Sequence, residues 1–382
     1  LSGNKMTLRK EINEIFKKYH GKINKRDIQK VQEYCKYKHF SGSSDKTVDY
    51  YRRAILRVRS LVNKPFRYWT QADALNAYYR TYEIPLYLMH KKKFKGMLLC
   101  DVLENIKNTE YQRIDDGTAG KIIETIKPFL NWLVNGNYIK KNVFNGINAK
   151  RNTKKSNSQR KAFDKEKIKR IFSGDFFYNE INARNGRYWV TILAATVGAR
   201  QGELAQLHKE DISYKLGYWY LSINKDHDGK RIKNRYAIRE IPIPEHVIRL
   251  GFIDFVKSID SGHLFKDVKY NERDGYGRAI SRWFSGEKSK WLEVEDDPLK
   301  YNFHSFRHYL IDSMKQKDIN VCLVSEITGH TYNSVAFERY GKDFSLKKKK
   351  KILDKFTDKH IKNLPRIYPK KGFIERLFDL FK

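Results

Sequence analysis

Residues 196–204 read Thr196-Val197-Gly198-Ala199-Arg200-Gln201-Gly202-Glu203-Leu204. They stand at the end of an apolar run, Trp189 to Ala199, that holds no charged side chain and predicts a buried helix. A lone arginine after such a run is able to do no more than cap it. Gly198 before Arg200 and Glu203 one helical turn after it describe something more shaped: a tight corner that holds a cation beside a carboxylate. Glu203 is expected to orient a neighbouring basic side chain rather than to react itself.

Working outward from that corner, Trp219, Leu221 and Ile223 alternate with Tyr218, Tyr220 and Ser222, which predicts a strand. Asp226-His227-Asp228-Gly229 forms a turn, and Ala237-Ile238-Arg239-Glu240-Ile241 returns as the second arm of a hairpin before Pro242 and Pro244. Helical spacing resumes over His304–Lys315, Asn320–Thr328 and Ser334–Tyr340, the last two stopped by Gly329 and Gly341. From Leu346 the chain carries the lysine run Lys347 to Lys351, read as a solvated segment, and then a short amphipathic pattern of Ile374, Leu377, Phe378, Leu380 and Phe381.

Upstream, residues 151–160 (Arg-Asn-Thr-Lys-Lys-Ser-Asn-Ser-Gln-Arg) are polar, basic and free of large apolar side chains. They read as a linker at the main domain boundary, with Lys154, Lys155 and Arg160 available to track a groove. Before it, Ile122, Ile126, Phe129 and Leu133 line one face of a helix from Thr118 towards Asn135, and Pro128 predicts a kink or break there. Thr47, Val48, Tyr51, Ile55, Val58 and Val62 mark another helix, with Asp45 as its expected N-cap. Arg52, Arg53, Arg57 and Arg59 fall largely off its apolar stripe, so they form either a solvated face or a set of phosphate contacts. The first forty or so residues are Lys-rich, with Leu8, Ile12, Ile15 and Phe16 at helical spacing, and end at Ser41-Gly42-Ser43-Ser44. The expected organisation is a basic helical segment over 1–44, a helical domain over 45–150, a linker over 151–161, a larger domain over 162–345 and a basic tail over 346–382.

Composition narrows the partners. The 382 residues are 40% hydrophobic and 14% aromatic, enough for packed cores. Lys and Arg number 78 against 44 Asp and Glu, a net charge of +34 that points to a polyanion. No run is apolar and long enough for a membrane helix and no signal pattern opens the chain, so a cytoplasmic, nucleoid-associated protein is expected. The chain opens on Leu1 rather than Met, which leaves room for a preceding piece. Cys35, Cys100 and Cys322 are scattered and odd in number, and describe neither a disulfide framework nor a zinc site.

His304 and His308 stand one helical turn apart, the spacing of a metal pair, but Ser305 replaces the glutamate of a metalloprotease and no further ligands cluster nearby. There is no phosphate-cradling loop for ATP and no nucleophile elbow. What remains is arginine, lysine, histidine and tyrosine at structural corners. Such groups suffice for phosphoryl transfer at DNA: guanidiniums clamp non-bridging oxygens, a lysine or histidine moves protons, and a tyrosine attacks.

At these residues the sequence resembles the tyrosine recombinase, or phage integrase, family. Residues 196–204 match its first arginine box, Phe303-His304-Ser305-Phe306-Arg307-His308 its H-x-x-R box, and Gly329-His330 its GH element, with Tyr340 at the interval of the nucleophile. Order and spacing agree over Lys161–Phe344, and more loosely over Asp45–Lys150. The resemblance implies a mainly α fold with a small β-sheet, in which a helical core-binding domain and a catalytic domain form a C-shaped clamp on duplex DNA. It implies catalysis by Arg200, a hairpin lysine, His304, Arg307, His330 and Tyr340 through a 3′-phosphotyrosyl link, with neither ATP nor metal as cofactor. Lys225, Lys230 and Lys233 all lie on the hairpin. Lys233 is preferred because the interval to Arg239-Glu240-Ile241-Pro242 looks like that between the lysine and an R-x-[VI]-P strand in some integrases. Tyr332 is the rival nucleophile, and Tyr309 reads as a core residue.

The implied partners are double-stranded DNA carrying recombination sites, three further copies of the chain in a tetramer on DNA, and accessory DNA-bending factors, in a prokaryotic, phage or mobile-element setting. The tail beyond Leu346 is a candidate for packing onto a neighbour. Two other readings stay open: a type IB topoisomerase-like relaxing enzyme with the same chemistry, and a basic DNA-binding protein with a vestigial pocket.

Overall fold

The computed structural model describes residues 11–15, 17–19, 22–86, 94–150, 161–174, 177, 186–232, 235–330 and 343–366. The chain divides into two compact units, Leu1–Lys155 and Ser156–Lys382. None of the helices among the described residues is long and apolar enough to cross a membrane.

The first unit is helical: α1 (Lys25–Phe40), α2 (Asp45–Leu61), α3 (Gln71–Thr81), α4 (Leu99–Asn105) and α5 (Asp116–Asn135). Side-chain oxygens start most of these helices: Asn24 caps α1, Thr70 caps α3 in a reciprocal box with Asp73, and Asp115 caps α5. The cap of α2 is Ser44, not Asp45: Ser44 accepts from the Thr47 amide, while Asp45 becomes the first helical residue. There its charge still favours the positive end of the helix, which is why either residue suits the position. Pro128 lies inside α5 without ending it. The proline removes one N–H donor, but Ile126, Phe129 and Leu130 beside it are fully buried, and that packing holds the helix through the gap.

The second unit holds α6 (Lys165–Ser173), α7 (Gly186–Val197), α8 (Gln201–Ala205), β1 (Ile212–Lys215), β2 (Tyr218–Ile223), β3 (Arg239–Pro242), α9 (Glu245–Arg249), α10 (Phe252–Lys257), α11 (Gly277–Gly286), α12 (Ser305–Lys315), α13 (Val321–Thr328), α14 (Leu346–Phe356) and α15 (Lys359–Lys362). Every residue of α7 except Arg187 is buried, so this helix is the axis of the core. The sheet is antiparallel in the order β1-β2-β3, with Leu221 facing Ile212 on one side and Ile241 on the other. The hairpin expected from the sequence is β2–β3; β1 adds a short third strand.

The lysine run is not a free tail. It forms α14, which packs on β3, α7 and α12. Lys349 is buried against Glu326 at 3.1 Å, and Lys350 bridges Glu245 and Asp354, each at 3.1 Å. Leu346 and Leu353 are buried on the same helix, so residues 346–366 fold onto their own unit. The apolar pattern from Ile374 to Phe381 lies outside the described residues.

Candidate active site

The end of α7 is built by glycine. Gly198 has φ +64°, and a Cβ there would stand 2.9 Å from Leu310 Cδ2. Only a residue without a side chain takes this left-handed turn against Leu310 of α12. The turn delivers Arg200 to the N-cap of α8, where Glu203 Oε2 accepts from the Arg200 amide (3.0 Å) and Oε1 from its Nη1 (2.7 Å).

The second wall is the end of α13. Gly329 caps that helix in the left-handed region at φ +70°. Terminal carbonyls of a helix have no partner within it and carry the negative end of its dipole. Here three successive ones each accept from a different arginine: Ile327 O from Arg239 Nε (2.8 Å), Thr328 O from Arg307 Nη1, and Gly329 O from Arg200 Nη2 (2.8 Å). Arg307 Nη1 also donates to Gly198 O (2.7 Å), so both glycine turns meet on it.

Two of the three arginines share a single carboxylate. Glu203 Oε2 accepts from Arg239 Nη2 at 3.0 Å while Oε1 holds Arg200. Burial raises the Glu203 carboxyl, but Arg239 and Arg200 outweigh it and hold it below its ordinary range, so it is ionised. Among the described residues Arg307 has no carboxylate partner, and it is 1% exposed. Burial first, then Arg200 and Arg239, lower its guanidinium to about 9, still protonated at neutral pH, and its Nε is buried without an acceptor. Counted over the described residues, the cluster has two positive charges in surplus and an unused donor, and is short of an anion.

His330 completes it, with Nε2 2.8 Å from Arg307 Nη2 and Nδ1 3.2 Å from Thr328 Oγ1. Burial, then Arg307 and Arg200, push the imidazole down to about 4, so it is neutral. His304 lies one turn before Arg307 at the start of α12; its amide donates to Asn302 Oδ1 (2.9 Å), and its ring meets that of His308 edge to face, centroids 4.8 Å apart.

The structure therefore gathers Arg200, Glu203, Arg307 and His330 into one hydrogen-bonded cluster. It adds Arg239, which sequence reasoning passed over; its signal is the Arg239-Glu240-Ile241-Pro242 strand itself. Tyr340, Tyr332 and Lys233 lie outside the described residues. Of the other hairpin lysines, Lys225 is exposed. Lys230 is a buried tie, with Nζ donating to both oxygens of Asp211 (2.6 Å each) and to Asn224 Oδ1 (2.7 Å). Tyr309 is buried, its hydroxyl on Asp358 at 2.6 Å.

In the first unit one expected DNA contact is overturned. Arg59 is not a DNA-facing residue: it is buried, paired through Nε with Asp27 and donating through Nη1 to Val62 O (2.9 Å). Asp27 also accepts from the Phe66 amide and the Tyr138 hydroxyl, each at 3.2 Å, so the pair ties α1 and α2 to the segments that follow α2 and α5. Arg52 is held by Gln32 (2.8 Å), Arg53 lies on Asp49 with half its side chain exposed, and Arg57 is half-buried. Lys154, Lys155 and Arg160 lie outside the described residues.

No protein-family model matches the sequence, and no curated protein does. Solved structures match its fold. The Tn1549 transposon integrase in complex with a circular intermediate DNA is 15% identical at a TM-score of 0.52, covering 92% of this chain and 98% of that one. The lambda integrase tetramer bound to a Holliday junction is 16% identical at a TM-score of 0.52, covering 80% and 77%. Lambda integrase bound to DNA is 18% identical at a TM-score of 0.50, covering 82% and 94%. The chain has the integrase fold: mainly helical, with a small sheet in its second unit.

Proposed function

We propose that this chain is a tyrosine recombinase that cuts and rejoins specific DNA sites through a 3′-phosphotyrosyl intermediate. One observation carries the reading: Arg200, Arg239 and Arg307 converge with a neutral His330 around one carboxylate, on a fold shared with integrases solved on DNA. The missing anion of that cluster is the scissile phosphate.

In the reaction Tyr340 Oη attacks phosphorus, its proton passing towards His304. Arg200 and Arg307 hold the non-bridging oxygens, whose charge grows as phosphorus becomes five-coordinate, and they are in place before the reaction begins. His330 stands beside Arg307 and is assigned to a phosphate oxygen, its ring proton moving from Nδ1 to Nε2 as the phosphate takes over the Arg307 contact. The P–O5′ bond breaks, and a hairpin lysine gives the leaving oxygen its proton. Lys230 is committed to Asp211, which leaves Lys233 as the preferred donor and Lys225 as the other. The tyrosyl ester keeps the energy of the phosphodiester, so the reverse attack by a 5′-hydroxyl reseals the strand; on this reading neither ATP nor a metal is needed. By analogy with the lambda tetramer on a Holliday junction, strand exchange is assigned to four copies of the chain on duplex DNA.

The test is covalent trapping. A duplex taken from DNA flanking the coding sequence, nicked next to the scissile phosphate, lets the short 5′-hydroxyl fragment diffuse away. The expected result is an adduct stable in detergent and indifferent to EDTA. No adduct on any flanking duplex would overturn the reading, and an adduct that needs magnesium would overturn the mechanism.

A further inference from the structure

Arg239 is among the best-held side chains of the second unit. All its nitrogens are engaged: Nε with Ile327 O (2.8 Å), Nη1 with Ala237 O (2.6 Å) and Nη2 with Glu203 Oε2 (3.0 Å). Its guanidinium lies directly under Gly329, where a Cβ would stand 2.6 Å from Nη1 and 2.8 Å from Cζ. Glycine is therefore needed at 329 twice, for its positive φ and for the room it gives this arginine. Three elements meet at one planar group: the return arm of the hairpin, the end of α13, and the carboxylate that holds Arg200.

That carboxylate divides its work. Oε1 aims the Arg200 guanidinium, and Oε2 accepts from Arg239 as well as from the Arg200 amide. Without Arg239, Oε2 would keep only the Arg200 amide, and Glu203 would be able to close on the Arg200 guanidinium with both oxygens, a bidentate pairing that draws it away from an incoming phosphate. The Arg239 side chain is buried behind this carboxylate, 4% exposed, whereas that of Arg200 keeps 21% of its surface open.

We propose that Arg239 is a positioning residue for the phosphate clamp: it occupies half of Glu203 and so leaves Arg200 aimed at the scissile phosphate. The inference rests on the recombinase reading above, and it gives the clamp a third arginine that does not touch DNA.

The experiment compares two substrates. A methylphosphonate in place of the scissile phosphodiester replaces one charged oxygen by methyl, so less charge must be neutralised during attack. Arg239→Met keeps an unbranched side chain without charge. On the phosphodiester suicide duplex its cleavage is expected to fall by about 100-fold, the scale of losing one preorganised donor. On the methylphosphonate duplex the same variant is expected within a few-fold of wild type, with duplex affinity unchanged. Arg239→Lys keeps the charge but loses the fork, so it preserves the fold if the methionine variant does not, and the same substrate dependence is expected of it. Equal losses on both substrates would make Arg239 a merely structural residue and overturn the proposal. Wild-type protein that forms no adduct on the phosphodiester would instead remove the recombinase reading beneath it.

Discussion

Arg307 Nη2 donates to His330 Nε2 across 2.8 Å, and this contact fixes the protonation of the imidazole. A guanidinium has no lone pair to offer, so Nε2 must be the acceptor and the ring proton sits on Nδ1, beside Thr328 Oγ1. The hydroxyl sends its own hydrogen to Val324 O (2.6 Å) and is left to accept. Proton-detected NMR of the ring nitrogens should find this single tautomer, titrating near 4 rather than 6.5. His208 is lowered in the same way to about 4, by burial first and then by His227 and Lys230. Because both histidines bind protons less readily folded than unfolded, their contribution to stability is complete above about 6.5 and is lost as the pH falls towards 4. Urea midpoints measured at pH 7 and pH 4.5 should fall accordingly; equal midpoints would contradict it.

Removing Arg307 separates chemistry from binding. Arg307→Ala is expected to lower cleavage by at least about 100-fold while leaving duplex affinity within a few-fold, since one phosphate contact among many is lost. The fold should lose less than about 2 kcal/mol, because carbonyls left without a donor are offset by removing a buried cation that has no carboxylate among the described residues. Gel shifts and thermal melts on one preparation check both. A collapse of binding in step with cleavage would make Arg307 structural.

Arg59 and Arg53, two arginines of one helix, should behave oppositely. Arg59→Ala leaves Asp27 buried without its cation and should destabilise the first unit by about 3–5 kcal/mol. Arg53→Ala should change stability by no more than about 0.5 kcal/mol, its ion pair with Asp49 being exposed, and should weaken DNA binding instead. Chemical unfolding and filter binding of the two variants make the comparison.

The net charge of +34 sets the salt response. If much of it faces the duplex, affinity should drop by about 1,000-fold or more between roughly 50 and 200 mM salt. Titrations by fluorescence anisotropy at four salt concentrations would show it, and a nearly flat log–log plot would contradict it.

How much of this was legible in the sequence follows from how local each signal is. Arg200 and Glu203, His304 and Arg307, and Gly329 and His330 are close pairs within a turn or two, marked by glycines that structure confirms in the left-handed region at 198 and 329. Burial decided the rest, and burial depends on partners far along the chain. Arg59 sits off the apolar stripe of its helix, as a surface residue would, and only Asp27 on another helix shows it to be internal. Lys230 and Lys349 read as hairpin and tail lysines until Asp211 and Glu326 arrive beside them. Arg239 belonged to a recognised strand pattern, yet its role needed Glu203 and Ile327 from two other elements. The strand β1, four residues long, is too short for alternation to stand out.

The most direct test of the central claim is to find the residue that carries the DNA. The adduct from the nicked duplex, digested with trypsin and nuclease, should yield one peptide bearing a nucleotide phosphate on Tyr340, and Tyr340→Phe should abolish the adduct while keeping duplex affinity. Tyr332→Phe should leave it intact. A phosphate mapped to Tyr332, or an adduct that survives Tyr340→Phe, would contradict the account.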